Sequence, residues 1–140
     1  MKKRIFGRKF SRDTGARRAL LRSLAYNLIK NGTIETTISR AKAVKPFVDK
    51  LVTFAKKKTL VSHRQLLSEL GDNKQIVLKL EEEAKNRFVT LSSGFTSMVR
   101  VERRMGDDAP MVRMRWSKES SSIKNSEGKE KKSKSKSKKI

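Results

Sequence analysis

The chain reads as an α+β protein, a small two-layer domain with helices covering one face of a three-stranded sheet. Three observations predict it. Apolar residues recur at helical spacing in two segments, and capping patterns at Ser62 and Asp72 open two further helices, the last running through about Asn86. A β-branched run, TIETT at 33–37, separates the first of these from the rest. MVRMRW at 111–116 alternates apolar and basic side chains, the period-two pattern of a half-buried strand. The expected order is helix, strand, three helices, two strands. The domain is expected over 14–116, between a basic arm at 1–13 and a Lys/Ser-rich tail at 117–140. That tail is too poor in apolar residues to offset chain entropy and reads as disordered.

Thr14 is placed to cap the first helix, GARRALLRSLAYNLIKN. Leu20, Leu21, Leu24, Leu28 and Ile29 form its apolar face, and Arg22, Tyr26 and Lys30 fall on the other side at steps of four. Asn31-Gly32 is a stop signal. The second helix is SRAKAVKPFVDKLVTFAKK, with Val44, Phe47, Val48, Leu51, Phe54 and Ala55 as its inner stripe. Pro46 has no N–H to donate, so a kink there, or a helix start just before it, is expected. Lys56, Lys57 and Lys58 crowd the end where the helix dipole favours cations. A short third helix is expected over Ser62–Leu70, with Ser62-His63-Arg64-Gln65 as a capping box and Gly71 as its end. Asp72-Asn73-Lys74-Gln75 repeats the pattern and opens a fourth helix. The last two strands are SMVRVERR, in which Met98 faces opposite to Val99 and Val101, and MVRMRW. The turn formers of Met105–Pro110 join them as a hairpin.

Composition narrows the function. The 140 residues include 36 Lys+Arg against 14 Asp+Glu, a formal net charge of +22. There is no cysteine and one histidine, His63, which excludes disulfide scaffolds, thiol nucleophiles and Cys- or His-rich metal sites. No apolar stretch approaches the roughly 18–20 residues that cross a membrane, and the basic start lacks the apolar region of a secretory signal. The expected partner is a polyanion, nucleic acid before an anionic membrane surface.

Signatures of catalysis are thin. Neither a P-loop nor a dinucleotide-binding glycine pattern is present. Ser39-Arg40-Ala41-Lys42 matches S-x-x-K without its companion motifs. Glu81, Glu82 and Glu83 are consecutive on a helix, so they point to different faces and read as a solvated run. Asp107 and Asp108 read as turn residues, and His63 as an exposed side chain or a further phosphate contact. No catalytic residue, metal site, cofactor or small-molecule substrate is expected.

The cations carry more information. Lys2, Lys3, Arg4, Arg8, Lys9 and Arg12 interleave with Ile5 and Phe10 in the arm. Arg17, Arg18 and Arg22 continue into the first helix, and Arg40, Lys42 and Lys45 begin the second. Arg100 and Arg104, with Arg103, Arg113 and Arg115, cluster around the hairpin. Solvated faces usually mix the signs, and these stretches do not. Arginine forks onto phosphate and stacks on bases. No helix-turn-helix, C2H2 or RNP signature accompanies them, so recognition by shape and phosphate is expected. A nonspecific DNA-compacting, nucleoid-type protein is the alternative, although the Ala/Pro-rich repeats usual in such tails are absent.

Three stretches carry a resemblance. GRKFSRDTGARRALLRSLAYNLIKNGTIETTISRAK is similar to a family opening with G-R-K-L-x-R, an Arg-bearing helix and an I-x-T-T strand followed by A-K. KPFVDKLVTFAK resembles its R-P-x-x-E-x-L-I-T-x-A-K, and GFTSMVRVERRMGDDAPMVRM its G-Y-T-R-I…R-x-G-D-x-A-P-M. The family is the bacterial large-subunit ribosomal protein seventeen family, and the resemblance runs from about residue 4 to Trp116. The departures are Lys2-Lys3 in place of Arg-His, Glu81 in place of a Phe, and Ser93-Gly94-Phe95-Thr96-Ser97 in place of Gly-Gly-Tyr-Thr-Arg. The resemblance implies a two-layer α/β domain whose N-terminal arm orders on 23S rRNA. It also implies a cytoplasmic, ribosomal location on the solvent side of the large subunit, toward the tunnel exit and near other ribosomal proteins. The implied role is structural, without catalysis.

Overall fold

The computed structural model describes residues 8–117. The expectations for Lys2, Lys3, Arg4 and Ile5, and for the tail from residue 118, lie outside the described residues. Seven elements follow in the expected order: α1 (Thr14–Asn31), β1 (Thr33–Thr37), α2 (Ile38–Lys57), α3 (Leu60–Leu70), α4 (Lys74–Arg87), β2 (Thr96–Arg100) and β3 (Met111–Trp116). The sheet is antiparallel in the order β1-β3-β2. The last strand is therefore central, and Ile34 and Met98 pair with Met114 from its two sides.

The alternation in β3 decides the layering. Val112, Met114 and Trp116 are buried against the helices, whereas Arg113 and Arg115 are exposed on the outer face. The helical layer is built on α2. Ala41, Val44, Val48, Leu51, Val52 and Ala55 are all buried, and α2 touches every other element. Phe47 and Phe54, expected in the inner stripe, are only half-buried and pack at its edge. Pro46 neither starts the helix nor ends it, because α2 begins at Ile38 and continues to Lys57. The proline ring is exposed, so it loses one backbone bond on the solvent side while the buried stripe opposite holds the helix together.

The segment joining α4 to β2 closes the core. Phe88 packs edge-on against Phe95, with ring centres 5.2 Å apart, and against Trp116 at 5.4 Å. Two side chains of α2, Lys56 and Asp49, meet this segment. The Lys56 ammonium donates to the Leu91 carbonyl and lies 5.6 Å from the centre of the Phe95 ring. Asp49 Oδ1 is buried without a hydrogen-bond partner among the described residues. Burial accordingly raises the Asp49 pKa, opposed by the Lys45 ammonium and the nearby Phe95 N–H.

Several boundaries move from their expected positions, each for a local reason. Thr14 is already helical, and the N-cap is the extended Asp13, whose carbonyl accepts from the Arg17 N–H at 2.8 Å. In α1, Ala25 is buried where Leu20 and Leu21 are half-buried, and Tyr26 packs against the core instead of facing away from it. The cap of α3 is Thr59, three residues before the expected Ser62. Thr59 Oγ1 accepts from the Ser62 N–H (3.2 Å) and Ser62 Oγ accepts from the Thr59 N–H (3.1 Å), so Ser62 closes the box from inside the helix. Asn73, not Asp72, caps α4 by accepting from the Ile76 N–H at 3.3 Å. Strand β2 stops at Arg100, and only isolated bonds continue the pairing: Val101 N–H to the Met111 carbonyl and Arg104 N–H to the Ala109 carbonyl. The glycine stops hold. Gly32 (φ 76°) donates to the Leu28 carbonyl and Gly71 (φ 70°) to the Leu67 carbonyl.

Two predictions follow from this packing. Thr59→Ala should destabilise the fold by about 1 kcal/mol, read as a fall in Tm of roughly 4–8 °C by circular dichroism. Asp49 has a raised folded-state pKa, so its favourable contribution is complete below the ordinary aspartate range and is lost as pH rises through the folded value. Denaturant titrations across that range should therefore show a decline in stability with rising pH that Asp49→Asn flattens.

Candidate nucleic-acid interface

The first described residues are fastened where β1 turns into α2. Arg8 Nη1 donates to Ser39 Oγ at 3.1 Å. The chain then makes a tight turn in which the Arg12 N–H donates to the Lys9 carbonyl (3.2 Å) and Arg12 Nη1 to the Phe10 carbonyl (2.9 Å). Phe10 (φ 56°) and Ser11 (φ 50°) both adopt the left-handed conformation that side chains disfavour. The turn delivers the chain to Asp13 and the start of α1.

Arg8, Arg17 and Lys42 consequently line one cleft, about 480 Å3 in volume, between the arm, α1 and α2. Arg18 and Arg17 line a second cleft beside it, of about 420 Å3, whose far wall is Ser68 and Glu69 of α3. Arg40 and Lys45 are half-buried on the first two turns of α2, and Lys9, Arg12 and Arg18 are exposed. Arg100 belongs to the same end of the molecule by register. It pairs with Val112, which pairs with Thr36, two residues before α2 begins. Two strand spacings, roughly 10 Å, separate the backbones of Arg100 and Thr36. The arm, both helix starts and the end of β2 thus present cations at one end of the domain.

Not every expected cation is available there. Arg22 donates from Nε to the Glu69 carbonyl (2.7 Å) and from Nη2 to the Ser68 carbonyl (3.1 Å). It caps the last turn of α3, satisfying carbonyls that the helix leaves unpaired. A Cβ added to Gly71 would come within 3.2 Å of its guanidinium, so the glycine turn and the arginine fit together. Arg104 is paired with Asp107, and Arg103 with Asp108. The Arg104 hydrogen bond pulls the Asp107 carboxyl down to about 2, and Asp107 Oδ1 also accepts from the Ala109 N–H at 3.3 Å. The two aspartates fix the hairpin, as their position in the sequence suggests, and locally neutralise the arginines beside them.

The outer sheet face adds a cation. Arg113 is paired with Glu35, at 2.6 Å, across β1 and β3. Arg115 is exposed between Thr33 and Ser97 in register, and no acid pairs with it among the described residues. Its signal was the alternation of β3 itself. His63 is not a free surface group: its Nδ1 lies 2.7 Å from Glu81 Oε1, and both are half-buried between α3 and α4. Glu81, where the family pattern has Phe, therefore replaces an apolar contact with a polar one. Glu83 pairs with Arg87 one turn on, so the acidic run is tied to the fold. Among the described residues no cluster of acids and histidine could hold a metal ion. Phe95 is wholly buried, so the loss of the family's Tyr hydroxyl falls inside the core.

This geometry defines a protein class: a small α+β scaffold that displays converging cations, with about half of its described acids tied up in ion pairs. A family model for "Ribosomal protein L17" matches residues 20–116. The "Large ribosomal subunit protein bL17" of Coprothermobacter proteolyticus is 46% identical over 118 residues, covering 84% of this chain and all of that protein. Those of Thermodesulfovibrio yellowstonii and Persephonella marina are 44% and 41% identical, covering 79% and 80% of this chain and 82% and 91% of theirs. The chain belongs to the ribosomal protein L17 family and is a structural component of the ribosome, not an enzyme.

The division of labour among the arginines is testable by calorimetry. Arg22→Ala should lower stability by about 1–3 kcal/mol, because it strips hydrogen bonds from a half-buried helix end. Arg18→Ala, on an exposed position, should leave the Tm within about 2 °C.

Proposed function

We propose that the protein binds and stabilises 23S rRNA as a constituent of the large ribosomal subunit, supporting subunit assembly and translation. The subunit, and with it the cytoplasmic location, comes with family membership. The observation that supports rRNA as the ligand is the convergence of Arg8, Arg17 and Lys42 on one cleft, with no acid on its walls among the described residues. Phosphates of converging RNA segments repel one another, and a rigid block of fixed cations lets them approach. The domain is the platform that directs the arm. Lys2, Lys3 and Arg4 extend the same charge along the RNA, and the tail adds weak, nonspecific phosphate contacts. Neighbouring large-subunit proteins near the tunnel exit complete the surroundings.

Sucrose-gradient sedimentation of tagged protein tests this reading. It should travel stoichiometrically with the large subunit and stay there after a high-salt wash. A protein that spreads over free nucleic acid and washes off would be a nonspecific polyanion binder. If about 8 phosphates are engaged, log K should fall with log salt at a slope of roughly −6 to −7. Replacing Arg8, Arg12 and Arg18 together with Ala should weaken binding to purified 23S rRNA more than replacing Lys131, Lys132 and Lys134. Equal losses would mean that charge alone, not its placement, carries the binding.

A further inference from the structure

We propose that the cleft between the arm, α1 and α2 holds one unpaired nucleotide of the bound RNA, with its base against Phe10 and its phosphate among Arg8, Arg17 and Lys42. This rests on the rRNA-binding reading and adds to it a site for an extruded base. The first argument is chemical. The cleft's walls are of two kinds, apolar side chains (Phe10, Leu21 and Pro46) and three cations, with no carboxylate among them. A phosphate-only contact needs no apolar wall, and an apolar ligand gains nothing from three positive charges. A nucleotide has both halves, a flat base and an anionic phosphate. The cleft's 480 Å3 lies within the roughly 300–1,000 Å3 of sites that enclose small ligands.

The second argument is conformational. Phe10, on this wall, and Ser11 after it both adopt the left-handed conformation, with Arg12 hydrogen-bonded back onto the Phe10 carbonyl. Two consecutive side-chain-bearing residues in that region are costly, and such strain concentrates at binding sites. Phe10 is only half-buried and is absent from the hydrophobic core, so core packing does not account for the turn. The neighbouring cleft differs, because Glu69 stands on its wall and would repel phosphate.

Fluorescence anisotropy with labelled 23S rRNA, using the full chain and its Phe10→Leu, Phe10→Trp and Phe10→Ala variants, tests the proposal. Leu keeps the apolar volume but cannot stack. Stacking of a base on an aromatic ring is lost in Phe10→Leu and Phe10→Ala, which should bind about tenfold more weakly than wild type, while Phe10→Trp binds at least as tightly. The salt slope should be the same in all four, because no cation is removed. Matching melting curves show that each variant is folded. Ultraviolet crosslinking of wild-type protein in isolated large subunits, read by mass spectrometry, should give a nucleotide adduct on Phe10. Unchanged affinity in Phe10→Leu, with no adduct on Phe10, would overturn the site while leaving rRNA binding intact. A wild-type protein that does not bind 23S rRNA above a nonspecific duplex control would instead overturn the underlying reading.

Discussion

Val44, Val48, Leu51 and Ala55 recur at steps of three and four along α2 and are wholly buried, and every other element packs against this helix. Burying such side chains stabilises by roughly 1.5–3 kcal/mol each for the larger ones. In a chain that is only 35% hydrophobic, this stripe shares the core with Leu28, Leu66, Leu80, Phe88, Phe95 and Met114, which pack around it. The placement of α1 and of the sheet both depend on that stripe. Arg17 of α1 and Lys42 of α2 line one cleft because the two helices are packed side by side, and Arg100 joins their end because β3 lies between β1 and β2. The core thus acts as a jig for the cations.

Within that frame the charged residues divide by what surrounds them. Arg22, Arg103, Arg104 and Arg113 are used by the protein itself, on helix carbonyls or on acids. Arg17, Lys42 and Lys45 have no such pairing recorded with an acid among the described residues, although Lys45 faces the Asp49 carboxylate. The distinction follows from where the acids lie in the sequence. Between residues 14 and 48 the one acid is Glu35. It sits on the outer face of the sheet, turned away from the helices by the parity of β1.

Element types and their order were legible because local signals are strong here: the 3.6 pattern in α2, the cap and glycine signals that bound α3 and α4, and the strict alternation in β3. Caps were legible only approximately. Ser62 with Gln65 matches the capping-box sequence pattern, whereas the box actually formed uses Thr59 with Ser62 buried as its second member, a pairing the local pattern does not single out. Pro46 was ambiguous because the local cost of a missing N–H is visible in sequence, whereas the burial that outweighs it is not. The candidate site was legible as composition but not as geometry. Like charges in one stretch mark a basic surface, yet nothing in the local sequence shows that Arg22 reaches 46 and 47 residues along the chain to Ser68 and Glu69. Phe10, one of two aromatics in the arm, was visible only as an apolar residue among cations, because its placement depends on the backbone turn around it.

Gathering cations at one end has a thermodynamic consequence for the fold. Like charges held close by a rigid core repel, and the compact state bears that repulsion more than the unfolded chain does. The pairs Glu83 with Arg87 and Arg104 with Asp107 lie outside the cluster, and Glu69, beside Arg17 and Arg18, is already paired with Lys50, so these acids relieve little of it. A polyanion laid across the arm and helix starts relieves it directly. Any ligand that binds the folded chain and not the unfolded one stabilises the fold by mass action. In this protein the same cations therefore weaken the isolated domain and strengthen the complex, so folding and RNA binding are linked through one set of residues.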